Sequence, residues 1–133
     1  MSKTDHHYSE DRDDRVKDTG EVFTPPELVN KMLDGLDVDW SNIPTDKTFL
    51  DPTCGSGNFL IQVAGRGIPI ENIYGVDLFQ DNVTTCRKRL FNIVKTDSKD
   101  RNLEIVNVLK RNIRQGDALI FDYENDFDKP IEG

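Results

Sequence analysis

Apolar residues in this chain fall into short clusters separated by polar runs, and the spacing inside each cluster predicts an element. Residues 1–18 are almost wholly polar, from Lys3 to Asp18, with neither helical nor strand period, which predicts an unstructured arm. The first periodic cluster is Leu28, Met32, Leu33 and Leu36, at helical spacing. Thr24-Pro25-Pro26-Glu27 precedes it: Thr24 suits a cap, Pro25 the first helical position, and Glu27 the carboxylate of a capping box. Gly35 marks the approach to the helix end. A loop follows through Trp40 to Lys47. Thr48–Leu50 reads as a short buried strand, and Gly57–Ala64 as a helix stopped by Gly65 and Gly67. Ile73–Asp77 is a second strand, and Phe79, Val83, Cys86, Leu90 and Val94 resume the helical period. A polar linker over 96–101, a short helix carrying Leu103, Val106 and Leu109, and a third strand tip at Ile113–Asp117 complete the pattern.

Strand, loop, helix and strand in alternation predict an α/β fold: a parallel sheet with flanking helices and right-handed crossovers. Each predicted strand runs into an acid, Asp51, Asp77 or Asp117. Ligands of open α/β sheets sit at that carboxyl edge.

Composition narrows the class. The 133 residues are 35% hydrophobic and 32% charged, which fits a globular domain, and no apolar run approaches membrane-spanning length. Met1 is followed by a polar mixture rather than an apolar signal core, so the expected location is cytoplasmic. Cys54 and Cys86 lack metal-ligand spacing and disulfide density and read as free thiols. His6 and His7 have no third ligand nearby in sequence and read as solvated. A net charge of −8 argues against this chain alone gripping a phosphate backbone. Its densest basic run, Arg87-Lys88-Arg89, reads as a solvated helix face.

The candidate chemistry lies in Asp51-Pro52-Thr53-Cys54-Gly55-Ser56-Gly57. Glycines let a backbone approach a ligand where a Cβ would clash, and the free amides of a helix start face it. The spacing departs from the dinucleotide fingerprint, because an acid and a proline precede the glycines and no third glycine follows on cue. A carboxylate beside the loop repels a pyrophosphate and attracts an ammonium or sulfonium. Asp77 stands about twenty residues further on, the offset of a ribose-binding acid. Capping the next helix is the competing role for Asp77, and a turn or cap that for Asp117. Cys54 reads as a small packed loop residue, and Phe79 equally as core or as ligand contact.

Thr19-Gly20-Glu21-Val22-Phe23-Thr24-Pro25, then Asp51-Pro52-x-Cys54-Gly55-Ser56-Gly57-x-x-Leu60, then Asp77 and Asp117, together resemble the amino-terminal half of DNA adenine N6 methyltransferases, particularly those of type I and type IIG restriction-modification systems. The resemblance covers most of residues 19–123. It implies a partial Rossmann-like, class I methyltransferase fold over 19–133, with S-adenosylmethionine or S-adenosylhomocysteine as cofactor. By resemblance, Phe23 and Thr24 flank the methionine part, Asp51 faces its ammonium, and Thr53, Gly55, Ser56 and Gly57 form the close-lying loop. Asp77 holds the ribose diol, Leu78 or Phe79 packs on adenine, and Asp117 with the amide of Ala118 meets the adenine amino group.

The same resemblance sets an expectation about what is missing. Family members position the target adenine with an Asn-Pro-Pro-aromatic motif after the fourth strand, and these 133 residues contain none. Pro25-Pro26 lacks the flanking amide and aromatic. The run from Ala118 to Tyr123, with Phe127-Asp128, reads as the lead-in to that strand, so the carboxyl-terminal half of the fold is expected to be incomplete. The expected function is cofactor binding without methyl transfer by this chain alone. A protein partner would supply the catalytic half, and DNA would be met only indirectly. Self-association through an exposed sheet edge is a further expectation. A non-enzymatic cofactor-binding or interaction module, half of a split enzyme, and a methyltransferase for protein glutamine or RNA bases stay open as alternatives.

Overall fold

The computed structural model describes residues 24–130. The polar arm and Phe23 lie outside them. Helix α1 (Pro26–Asp34) comes first, then β1 (Phe49–Asp51), α2 (Asn58–Gly65), β2 (Ile73–Asp77), α3 (Gln80–Val94), α4 (Lys99–Asn112) and β3 (Ile113–Gln115). Single 3-10 turns at Ile70–Asn72 and Asp126–Asp128 complete the described elements. All strand pairs are parallel, in the order β1-β2-β3, so each sheet neighbour is also a sequence neighbour. The predicted α/β class and parallel sheet are what the chain forms.

Pleating divides the sheet into two faces. Leu50 pairs with Tyr74, and Val76 with Arg114, so these four residues share one face; Phe49, Ile73, Gly75 and Ile113 share the other. The second face is the core side, where Ile73 and Ile113 join Leu60 and Val63 of α2, Val83 and Leu90 of α3, and Ile105 and Leu109 of α4. Gly75 belongs here because a Cβ would stand 2.8 Å from Leu60 Cδ1 and 3.0 Å from the Cys54 Cβ. On the first face, Phe127 stacks edge-on against Tyr74 with ring centroids 5.0 Å apart, and Phe121 against Phe127 at 4.9 Å. Arg114 fastens this cover by donating to the carbonyls of Phe127 and Lys129. The segment read as a lead-in to a fourth strand therefore folds back over β2 and β3. It does not reach β1, where Leu50 stays 41% exposed.

Three expectations are corrected. Helix α1 starts at Pro26, with Pro25 as an uncapped N-cap residue whose carbonyl accepts from the amides of Leu28 and Val29, so neither Thr24 nor Glu27 forms the capping box. Its buried residues are Val29 and Leu33, while Leu28, Met32 and Leu36 stay about half exposed. Glu27, Asn30, Lys31 and Asp34 form the polar half of that helix, and the apolar half is broad enough to hold two stripes, Val29 with Leu33 and Leu28 with Met32. Contact with α2 chooses the stripe that enters the core, which the period alone does not specify. Helix α4 is longer than predicted: Ser98 caps it by accepting from the Arg101 amide at 3.2 Å, and the second half of the stretch read as linker, Lys99 to Arg101, forms its first turn. It buries Ile105, Leu109 and Asn112 and leaves Leu103 outside.

Candidate functional site

Strand β1 ends on Asp51, whose Oδ1 accepts from the Thr53 amide at 3.1 Å and so turns the chain back toward β2. The amide of Cys54 then donates to the Val76 carbonyl at 2.9 Å, and that of Gly55 to Asp77 Oδ1 at 3.0 Å. The amide of Gly57 closes the loop onto the Cys54 carbonyl at 2.9 Å, and α2 begins at the next residue. Gly55 and Gly57 are both left-handed, at φ +54° and +96°. Their neighbourhoods differ. A Cβ on Gly55 would meet nothing within 4 Å, whereas one on Gly57 would stand 2.8 Å from Cys86 Sγ.

Asp77, at the end of β2, is nearly buried and accepts three hydrogen bonds from the chain. Besides Gly55, its Oδ2 takes the amide of Phe79 and Nδ2 of Asn82, each at 3.0 Å. Beyond β3, the Gly116 amide donates to the Asp77 carbonyl at 2.9 Å. Asp117 Oδ1 accepts from Leu119 at 2.9 Å, and its carbonyl from Ile120 and Phe121, so the turn role read for Asp117 is realised.

These three strand tips surround a cavity of about 740 Å³, well within the size range of small-molecule sites. Of the predicted site residues, Thr24, Asp51, Thr53, Gly55, Ser56, Asp77, Leu78, Phe79, Asp117 and Ala118 line it. Gly57 does not, because it faces Cys86 and serves packing between the loop and α3. Phe23 lies outside the described residues. Sequence reasoning missed Val29, Met32, Leu50, Asn58, Phe59, Gly116 and Leu119 as lining residues, and gave Pro52 and Cys54 of the loop no contact role. Two of these follow from the register of α1: Val29 and Met32 are one turn apart, and both border the cavity.

The wall is anionic. Burial lifts the Asp51 carboxyl above the ordinary aspartate range, the Thr53 amide opposes this, and the charge of Asp77 adds to the rise. Gly55, with open space where a Cβ would stand, leaves a cradle beside those carboxylates. Cys54 is raised far above the usual thiol range by its hydrogen bond with Cys86 and by burial, which makes it a packed, unreactive thiol. No group of three or more potential metal ligands occurs among the described residues.

The basic run on α3 is a solvated face only at Lys88, which is exposed; its two arginines turn inward. Arg87 donates through Nε and Nη2 to the Ile113 carbonyl, at 3.0 and 2.6 Å, joining α3 to the start of β3. Arg89 turns the other way, toward the glycine loop. Two helical positions apart, the arginines diverge by about 200°, so they serve two different structural duties.

A family model described as N-6 DNA Methylase matches residues 9–129. The chain belongs to that family. It is also 34% identical over 105 residues to Type II methyltransferase M.VspI of Vibrio sp. (strain 343), an alignment covering 79% of this chain and 22% of that relative. The chain thus spans about a fifth of the curated relative's length. No solved structure matches it. For this N-6 DNA methylase family chain, the sheet with its flanking helices is the arrangement expected of the first part of a class I methyltransferase fold. Among the described residues no helix is long and apolar enough to cross a membrane.

Proposed function

We propose that the cavity binds S-adenosylmethionine, and that the chain is the cofactor-holding part of a DNA adenine N6 methyltransferase. One observation carries the reading. Asp51 and Asp77, at the ends of adjacent strands, both line a cavity whose floor is a left-handed glycine with room in front of it. Two carboxylates beside an open loop disfavour a pyrophosphate and suit a cationic ligand with a free ribose.

When bound, the cofactor supplies a methyl group on a sulfonium. The residues of this chain bind and orient it. In this reading Asp51 accepts from the ammonium of the methionine part, with Thr24, Thr53 and Ser56 alongside. Asp77 accepts from a ribose hydroxyl through the one lone-pair site that its three chain donors leave over. Leu78 and Phe79 offer apolar surface to the adenine ring, and Asp117 and Ala118 border its amino edge. Transfer to the exocyclic amine of a flipped adenine is then a matter of positioning. The groups that would hold that base come from outside these residues, in the same chain or a partner that completes the sheet beside β1, where Leu50 is exposed.

Calorimetry with S-adenosylmethionine and S-adenosylhomocysteine tests the reading. Binding of either, lost in Asp51→Ala, is the expected result. A folded chain that prefers ATP or NAD over both would overturn it.

A further inference from the structure

From its contacts we infer that Arg89 is a positioning residue that holds two walls of the cavity in register, although it does not line the cavity. A single terminal nitrogen, Nη1, donates to the Ser56 carbonyl at 2.9 Å and to Asn58 Oδ1 at 2.8 Å, with the Ser56 hydroxyl at 3.3 Å. The first contact grips a peptide from both ends. Ser56 offers its carbonyl to Arg89, while the amide of the same peptide, on Gly57, donates to the Cys54 carbonyl. The left-handed turn at Gly57 is thereby fixed from the helix behind it.

The second contact sets a direction. A guanidinium donates and never accepts, so the amide oxygen of Asn58 must face Arg89 and its nitrogen must point away. That nitrogen approaches the Thr24 carbonyl at 3.4 Å, a long contact that reaches the residues entering α1. Both Thr24 and Asn58 line the cavity, as does Ser56. Arg89 on α3 therefore orients the glycine loop directly and the Thr24 wall through Asn58. In the reading proposed above, on which only the ligand part of this inference rests, these are the walls around the methionine part of the cofactor.

Amide hydrogen exchange tests the coupling without any ligand. Arg89→Met is expected to speed exchange at Gly57 and at Val29 at least tenfold while the amides of β2 keep their protection. Arg89→Lys should restore part of it, since one nitrogen makes all three contacts. Asn58→Asp keeps the acceptor for Arg89 but loses the donor to Thr24, so Val29 alone should exchange faster. Unchanged exchange at Gly57 in Arg89→Met, or an equal rise throughout β2, would overturn the inference. A titration adds the functional readout. Arg89→Met should weaken S-adenosylhomocysteine at least tenfold and methylthioadenosine, which lacks the amino-acid end, less than twofold; equal weakening of both would also overturn it. If the unmodified chain binds neither compound, the proposed function fails, and the exchange pattern still decides the role of Arg89.

Discussion

Asp77 Oδ1 accepts from the amide of Gly55 at 3.0 Å, so the acid at the tip of β2 anchors the glycine loop that follows β1. A residue read from sequence as a ligand partner is thus also a structural one. Asp77→Asn keeps the shape but turns an amino group toward donors on Gly55, or on Phe79 and Asn82. Leaving a buried donor without an acceptor costs roughly 1–3 kcal/mol. Urea unfolding of Asp77→Asn should show a loss of that order in the absence of any ligand. No change in stability would mean that the three bonds contribute nothing net.

The two left-handed glycines should separate binding from stability. Gly55→Ala pays the left-handed penalty of about 1 kcal/mol and places a methyl group in open space beside the cavity, so ligand affinity should fall with little loss of fold. Gly57→Ala carries the same penalty and also drives a Cβ to 2.8 Å from Cys86 Sγ. It should unfold at markedly lower denaturant, and Cys86→Ala added to it should recover part of the difference. Equal stability for the two single variants would contradict the packing role of Gly57.

Asp51 makes a pH prediction. Its carboxyl is raised in the folded chain, by burial above all, so the folded state favours the protonated form more than the unfolded state does. That contribution is fully present below the ordinary aspartate value of 3.8 and is lost as pH rises through the raised folded value. Asp51→Asn, neutral throughout, should therefore be the more stable protein above that window and gain nothing below it. Affinity for a cationic ligand should run the opposite way, rising with pH through the same window and flat in Asp51→Asn. Denaturant midpoints and calorimetry from about pH 3 to 8 check both signs.

Phe127 is the centre of the cover over Tyr74. Phe127→Ala removes its ring contacts with Tyr74 and Phe121, at a cost of about 3 kcal/mol by analogy with other buried aromatics. It also joins the bared face of β2 to exposed Leu50. Sedimentation of Phe127→Ala should show concentration-dependent association beyond that of the parent chain.

Much of this fold is legible along the chain. Ile73–Asp77 was readable to the residue, because an apolar run bounded by a proline-containing turn and an acid has few other readings. The loop over 51–57 was readable because acid, proline and glycines each fit a distinct turn requirement. What was hidden depends on distance across the fold. Nothing local distinguishes Gly55, which faces the cavity, from Gly57, which faces a cysteine on α3. Likewise Arg87 and Arg89 carry no mark of the carbonyls they meet, at Ile113 and Ser56, which are separated from them by 26 and 33 positions. The exposed side of α1 misled because the period reports a stripe but not which of two adjacent stripes another helix will cover.

The order β1-β2-β3 places one wall of the cavity on a three-residue edge strand, since Gly116 to Leu119 hang from β3. Such a strand is the part of a sheet that opens locally at least cost. A ligand touching the tips of all three strands would therefore act as a mechanical staple, suppressing the detachment of β3 more than the unfolding of the whole. Occupancy of the cavity should thus be readable far from it, in the persistence of the Ile113–Gln115 ladder.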